Sequence, residues 1–287
     1  TSIWAQEMSV AERNAAQGFN DTIDRLAPDF VLVSLCIADP TDQSQDYLGI
    51  IGHAFLRLQC PTFGLDYCFS YESEKIKGQL WDYITGNLKM GMRGVHTSDY
   101  VEDYRIWKRA VHEYRINMPP EAEQRLWEQM DNHMLAENEM QMNLIKYGCT
   151  NTLLRYVERA LVPDEIVYLW PEKYMTKTAM EIVEEHLQNY PWTLFGFRLT
   201  VRSEMRQMEM PKQKIILPPD LLEVWSIATI NGEPLLTYIG DLVEAEPVVV
   251  KKPWFTPQLC CILLLILIAG IIGSVLVHRQ KIYNHKS

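Results

Sequence analysis

Cys149, in the stretch Lys146-Tyr147-Gly148-Cys149-Thr150-Asn151-Thr152, stands where a loop gives way to a helix. His53, in Gly52-His53-Ala54-Phe55-Leu56-Arg57-Leu58, stands on a strand-like run. A thiol attacks a carbonyl as the thiolate; a helix N-terminus stabilises that anion and a nearby imidazole can hold its proton. A third polar group normally orients the imidazole through its other ring nitrogen. Asp66 on the returning strand is the first candidate for that role. Ser70 and Glu72 are alternatives, because a register slip of one or two residues exchanges them. His112 is a rival base on a second alternating strand, where a histidine more often serves packing. Spacing alone is also compatible with an inert cysteine, which in a core behaves as a small hydrophobe.

The elements that must position these residues follow from hydrophobic period. Residues 30–38 are a short apolar, β-branched run between Pro28 and Pro40 and predict a buried strand. A polar loop over 39–46 leads to a second strand at 50–58, with His53, Phe55 and Arg57 on one face and Ala54, Leu56 and Leu58 on the other. A turn at 61–64 and a third strand at 65–71 complete a hairpin carrying His53. Residues 8–26 and 74–84 predict helices, 86–98 a glycine-rich loop, 99–109 a solvated face of mixed charge, and 107–118 a strand. Pro119-Pro120-Glu121 opens a helix, proline and acid both suiting a first turn. After Cys149, Leu153, Val157 and Leu161 recur every four residues, the stripe of an amphipathic helix that Pro163 ends. Further on, 178–188 predicts a helix, 193–201 an apolar strand, and Pro218-Pro219 a short helix.

The 287 residues carry a formal net charge of −10 and no broad basic tract, which argues against nucleic acid as a partner. Residues 259–277 are uncharged and almost wholly apolar, enough at about 1.5 Å per residue to cross roughly 30 Å of hydrocarbon. Lys251 and Lys252 precede this run, and Arg279, Lys281 and Lys286 follow it, a slight excess that places the tail in the cytoplasm. The opening Thr-Ser-Ile-Trp-Ala-Gln-Glu reads like the end of a cleaved secretory signal. The expected organisation is an N-terminal segment (1–27), a core (28–165), a C-terminal extension of the same domain (166–243), a linker (244–257), a transmembrane helix (258–278) and a short tail (279–287).

Cys260 and Cys261 fall in the span; Cys36, Cys60, Cys68 and Cys149 make no dense disulfide framework, although Cys60 and Cys68 could cross-link the hairpin. The separation of Cys60 and Cys68 is not the short spacing zinc favours, and neither metal nor cofactor is expected. Trp81, Tyr83, Tyr100, Tyr104 and Trp107 are a candidate lining for a peptide or glycan groove, with ordinary packing as the plainer account.

Three stretches carry a family resemblance: Gly52-His53-Ala54-Phe55-Leu56-Arg57-Leu58, Asp66-Tyr67-Cys68-Phe69-Ser70-Tyr71 and Gly148-Cys149-Thr150-Asn151-Thr152-Leu153-Leu154. They resemble the DUF4105 family, also called the Lnb N-terminal periplasmic domain, which looks like a circularly permuted relative of the NlpC/P60 papain-like hydrolases. Glu113-Tyr114-Arg115-Ile116 with Pro119-Pro120-Glu121, Pro191-Trp192-Thr193-Leu194-Phe195-Gly196 and Leu217-Pro218-Pro219-Asp220-Leu221-Leu222 extend the likeness over about 28–240. Two departures stand out: Gly148 where the family usually has Asn, and Val201-Arg202-Ser203-Glu204 where it runs into a loop containing glycine and aspartate.

The resemblance implies an α+β, permuted papain-like fold: a small antiparallel sheet packed by helices, plus one C-terminal transmembrane helix. It also implies a histidine that precedes its cysteine in the chain. The expected activity is that of an extracytoplasmic, membrane-anchored thiol hydrolase, with Cys149 as nucleophile, His53 as base and Asp66 as orienter. A cell-wall peptide or a lipid amide is the implied substrate class. The alternative is a non-catalytic envelope module of the same fold that binds a partner or glycan.

Overall fold

The computed structural model describes residues 31–41, 49–72, 89–135, 140–141, 148–246, 248, 250 and 252–284. The helices expected at 8–26 and 74–84, with Trp81 and Tyr83, lie outside them. In chain order the described elements begin with β1 (Leu32–Ala38), β2 (His53–Cys60), β3 (Leu65–Glu72), β4 (Lys89–His96), α1 (Thr97–Ile106), β5 (Val111–Ile116), α2 (Pro120–Leu135), β6 (Met140–Gln141) and α3 (Cys149–Leu161). They continue with β7 (Ile166–Val167), α4 (Glu172–Thr176), α5 (Ala179–Leu187), α6 (Pro191–Thr200), α7 (Arg202–Met205), α8 (Pro218–Ile227), β8 (Thr229–Ile230), β9 (Glu233–Pro234), β10 (Leu236–Val243) and α9 (Pro257–Asn284). The result is a mixed α/β molecule around an antiparallel sheet in the order β10-β5-β1-β2-β3-β4-β6, with β7-β8-β9 as a separate small sheet.

Period-two alternation sorts the sheet's side chains onto two faces. Leu35, Ala54, Leu56, Leu58, Tyr67, Phe69 and Tyr71 join the main core, which α2, α3 and α8 cover with Leu126, Trp127, Leu153, Val157, Leu221 and Trp225. Cys36, Phe55 and Cys68 face the other way, under Tyr100, Val101 and Tyr104 of α1. The hairpin register is Arg57↔Cys68 and Cys60↔Leu65, so Cys60 belongs to the main core and Cys68 to the α1 side. Both are free thiols, and the hairpin cross-link does not form.

Two stretches differ from the sequence expectation, and a third adds a buried side to the solvated face expected of it. Residues 86–98, read as a glycine-rich loop, contain β4, which pairs with β3 through Phe69↔Gly94 and Tyr71↔Met92. Met90 and Met92 point into the main core, and Gly94 is there for space: a Cβ on it would sit 2.6 Å from the Met134 sulfur of α2. The mixed-charge stretch at 99–109 is mostly α1: Asp99, Glu102, Asp103, Arg105 and Lys108 are exposed, as a solvated face requires, while Tyr100, Val101, Tyr104 and Arg109 are buried. Residues 193–201, read as a strand, lie almost wholly in α6, with Pro191 at its first position, where a missing N–H costs nothing.

The remaining helices follow local signals. Thr178 and Glu181 form a reciprocal capping box at the start of α5. Asp220, fully buried, accepts from the Leu217 amide at the start of α8 and from Tyr174 and His186. Within α9, Pro257–Arg279 is long and apolar enough to cross a membrane, with a mean hydropathy of 3.1 and no part of the window buried against the rest of the protein.

Candidate active site

His53 opens β2. Gly52 before it has φ +80, a backbone conformation that L side chains rarely adopt, and a Cβ there would come within 3.1 Å of the Ala38 carbonyl. The His53 ring lies on the α1 side, where Nε2 is 2.7 Å from Ser70 Oγ and 3.9 Å from Glu72 Oε2. Ser70 donates its single hydroxyl proton to Glu72 Oε2 at 3.1 Å, and Tyr100 donates to the same oxygen at 3.1 Å. Ser70 Oγ must then accept from His53, which places the imidazole proton on Nε2. Nδ1, with no hydrogen bond among the described residues, keeps its lone pair and is the basic nitrogen.

The charges follow from burial. Burial, helped by the positive charge of Arg109, lowers His53 from its ordinary 6.5 to about 3, so the ring is neutral near pH 7. Burial also raises the Glu72 carboxyl, and the hydrogen bonds from Ser70 and Tyr100 only partly offset it.

Asp66 does not take the place expected of it. Gln59↔Asp66 is its register position, six residues along β2 from His53 and therefore about 20 Å away at the rise of a strand. It pairs instead with Arg57, through Nε–Oδ1 at 2.8 Å and Nη2–Oδ2 at 2.6 Å, and accepts from Thr97 Oγ1 at 2.6 Å. Burial alone would raise its carboxyl; the bonds from Arg57 and Thr97 outweigh burial and hold it below the ordinary value. Arg57 also reaches Glu113, so this trio ties β2, β3 and β5 together beneath α1. Ser70, one of the two alternatives, is the group beside His53. Tyr100 is the member of the network that sequence reasoning placed elsewhere; only its four-residue spacing from Tyr104 hinted at a shared helix face.

Cys149 is the first residue of α3, with Gly148 as the N-cap in extended conformation. α3 packs on the main-core face of β2, opposite the face that carries His53. The thiol meets the strand at its start. Burial pushes the thiol's pKa up, while the amides of Ala54, Thr150 and Cys149 itself act to lower it; Thr150 Oγ1 lies 3.9 Å away. Ala54 directly follows His53 in the chain. The β2–β3 ladder ends at Leu56↔Phe69, whereas β3 stays paired to β4 as far as Glu72↔Gly91. No β2–β3 pair follows Leu56↔Phe69 among the described residues, and α3, which Cys149 opens, lies on the face of β2 opposite that of the His53 ring. The hydrogen bond of His53 goes to Ser70, and none joins it to Cys149 among the described residues.

The other expected participants sit elsewhere. His112 lies between Asp241, 2.7 Å from Nδ1, and Asp39, 3.3 Å from Nε2, on β5. Both its nitrogens are engaged, as fits a structural histidine. Tyr100, Tyr104 and Trp107 stack on Phe55 or on one another, so the described part of the aromatic cluster is packing.

A family model described as the Lnb N-terminal periplasmic domain matches residues 26–176, a little over half of the chain. The chain belongs to this family. No curated protein and no solved structure gives a significant match. The Lnb N-terminal match contains β1 to α3 and therefore His53, Ser70, Glu72 and Cys149 together; α6, α8, β10 and the apolar helix follow it. A periplasmic domain family makes the protein extracytoplasmic, and one C-terminal apolar helix fits a membrane-anchored protein.

Proposed function

We propose that the protein is a membrane-anchored thiol hydrolase of permuted papain-like fold that cleaves an amide or ester bond of a cell-envelope peptide or lipid. The main domain faces the periplasm or exterior, and the tail after Arg279 is cytoplasmic. The observation that carries the reading is the meeting of Cys149 with the start of β2: a thiol at a helix N-terminus against the Ala54 amide, one residue from a neutral imidazole whose Nε2–H is committed to Ser70.

The chemistry begins from a neutral thiol and a neutral imidazole. As the Cys149 sulfur attacks the carbonyl carbon, its proton passes to His53 Nδ1, so charge develops only in the transition state. The Cys149 N–H is available to the carbonyl oxygen as it becomes an oxyanion. His53 then gives the proton to the departing amine or alcohol, leaving a thioester. Water, deprotonated by His53, attacks the thioester; the acid leaves and the thiol is restored. Ser70 and Glu72 hold the ring in the tautomer this requires, the role first read for Asp66.

Activity on purified wall peptides and lipid amides, measured beside Cys149→Ala, tests the reading. Loss of hydrolysis in the variant is the expected result; hydrolysis by both proteins alike, or by neither, contradicts it. A non-catalytic envelope module is the second reading. It is favoured by the bond of His53 to Ser70 rather than to the thiol, and by the raised thiol pKa.

A further inference from the structure

We propose that one face of α6 lies in the membrane interface, so that the domain rests on the lipid surface beside its own span instead of hanging from it by a linker. At 100° per residue, Trp192, Phe195 and Leu199 fall within one narrow arc of this helix. All three are exposed, Leu199 at 69%. The charged residue of the helix, Arg198, is turned aside and bound to Glu184 at 2.8–2.9 Å. The opposite side packs: Phe197 is buried, with Leu194 against it, in a cluster with Ile51. A surface helix of a soluble protein reverses this arrangement and turns charged or polar residues outward.

What covers the face is indicated by its neighbours. Trp192 donates its indole N–H to the Phe255 carbonyl at 3.0 Å, and the two rings are 5.6 Å apart. Phe255 also meets Trp254, and Trp192 meets Phe195, so the four rings form a continuous aromatic chain. The membrane-crossing window starts at Pro257. Two residues of chain reach at most about 7 Å, comparable to the roughly 5–7 Å of headgroup region on each side of a bilayer. α6 is therefore fixed at the depth where the span leaves the hydrocarbon. Tryptophan prefers that depth because its ring is apolar and its N–H polar, and Trp254 is 85% exposed. An amphipathic helix lying in the interface plane, its apolar side towards the acyl chains, satisfies each of these observations.

The test uses the full chain in lipid nanodiscs with or without brominated phospholipid, whose bromine quenches tryptophan at short range. Trp254 adjoins the span and serves as the internal reference through Trp254→Phe. Leu199→Trp places a reporter at the far end of α6, about 10 Å from Trp192 at 1.5 Å per residue; Phe195→Trp is the second variant should the first fold poorly. The added emission is expected to be blue-shifted and largely removed by brominated lipid. Added emission that brominated lipid leaves unchanged overturns the proposal. So does emission that is blue-shifted and unquenched while the protein cross-links to a second copy, since the face is then a dimer contact.

Discussion

At the scale of single residues, the hydrogen-bond direction at Ser70 decides the most. Ser70 has one proton and gives it to Glu72, so its oxygen is left to accept from His53 Nε2. If hydrolysis runs through this pair, His53→Gln should lower turnover by about 10²–10⁴-fold, the usual worth of general acid–base catalysis. Ser70→Ala should cost less, about tenfold, because the ring remains and only its orientation is lost. Asp66→Asn should do the reverse, losing about 1–2 kcal/mol of stability with the Arg57 pair and leaving turnover largely intact; denaturant melts beside kinetics separate the two outcomes.

His53 also makes stability depend on pH. Unfolded, it titrates near 6.5, and folded near 3, so between those values the unfolded chain holds the extra proton. Its contribution is whole above pH 6.5 and is lost as the pH falls towards 3. His53→Gln should therefore keep more of its neutral-pH melting temperature at about pH 5 than the parent does. Equal losses would contradict the burial of the ring. Cys149 and His53 were legible as candidates from residue type and flanking pattern. The third group was not, because three polar residues alternate on one strand and only the register, Gln59↔Asp66, shows which of them is too distant.

At the scale of elements, the legible ones were those whose periodicity had a single reading. The hairpin of β2 and β3 alternates cleanly, and α3 has its stripe at every fourth residue. β4 was hidden by Gly91 and Gly94, which read as loop. In the fold, the Met134 side chain of α2 lies against Gly94 and leaves no room for a Cβ. Gly94→Ala should cost about 1–3 kcal/mol by overpacking, and adding Met134→Ala should recover part of it; a double variant no better than the single in a thermal melt would show that Met134 is not the obstacle. α6 was misread as a strand because a short, mostly apolar stretch cannot be assigned to helix or strand by period alone. That its exposed large side chains are Trp192, Phe195 and Leu199 is the observation behind the place proposed for it in the membrane interface.

At the scale of the whole molecule, the least legible feature was the long-range pairing that completes the sheet. β10 lies beside β5 although more than a hundred residues separate them in the chain, and such pairings leave no local trace. That His53 and Cys149 fall on opposite faces of β2 likewise depends on packing: α1 covers the His53 network and α3 brings Cys149 to the main-core side. The apolar helix gives the molecule its place. The full chain should remain with membranes through alkaline carbonate washing, and release into the wash would refute a spanning helix.

The claim on which the account rests is that His53 acts on Cys149, and the rate of Cys149 alkylation tests it most directly. Near neutral pH, peptide mapping by mass spectrometry should find Cys149 labelled faster than the buried Cys36, and markedly slower in His53→Gln than in the parent protein. A Cys149 rate that is the same with and without His53 would mean that exposure alone governs the thiol, and would contradict the account.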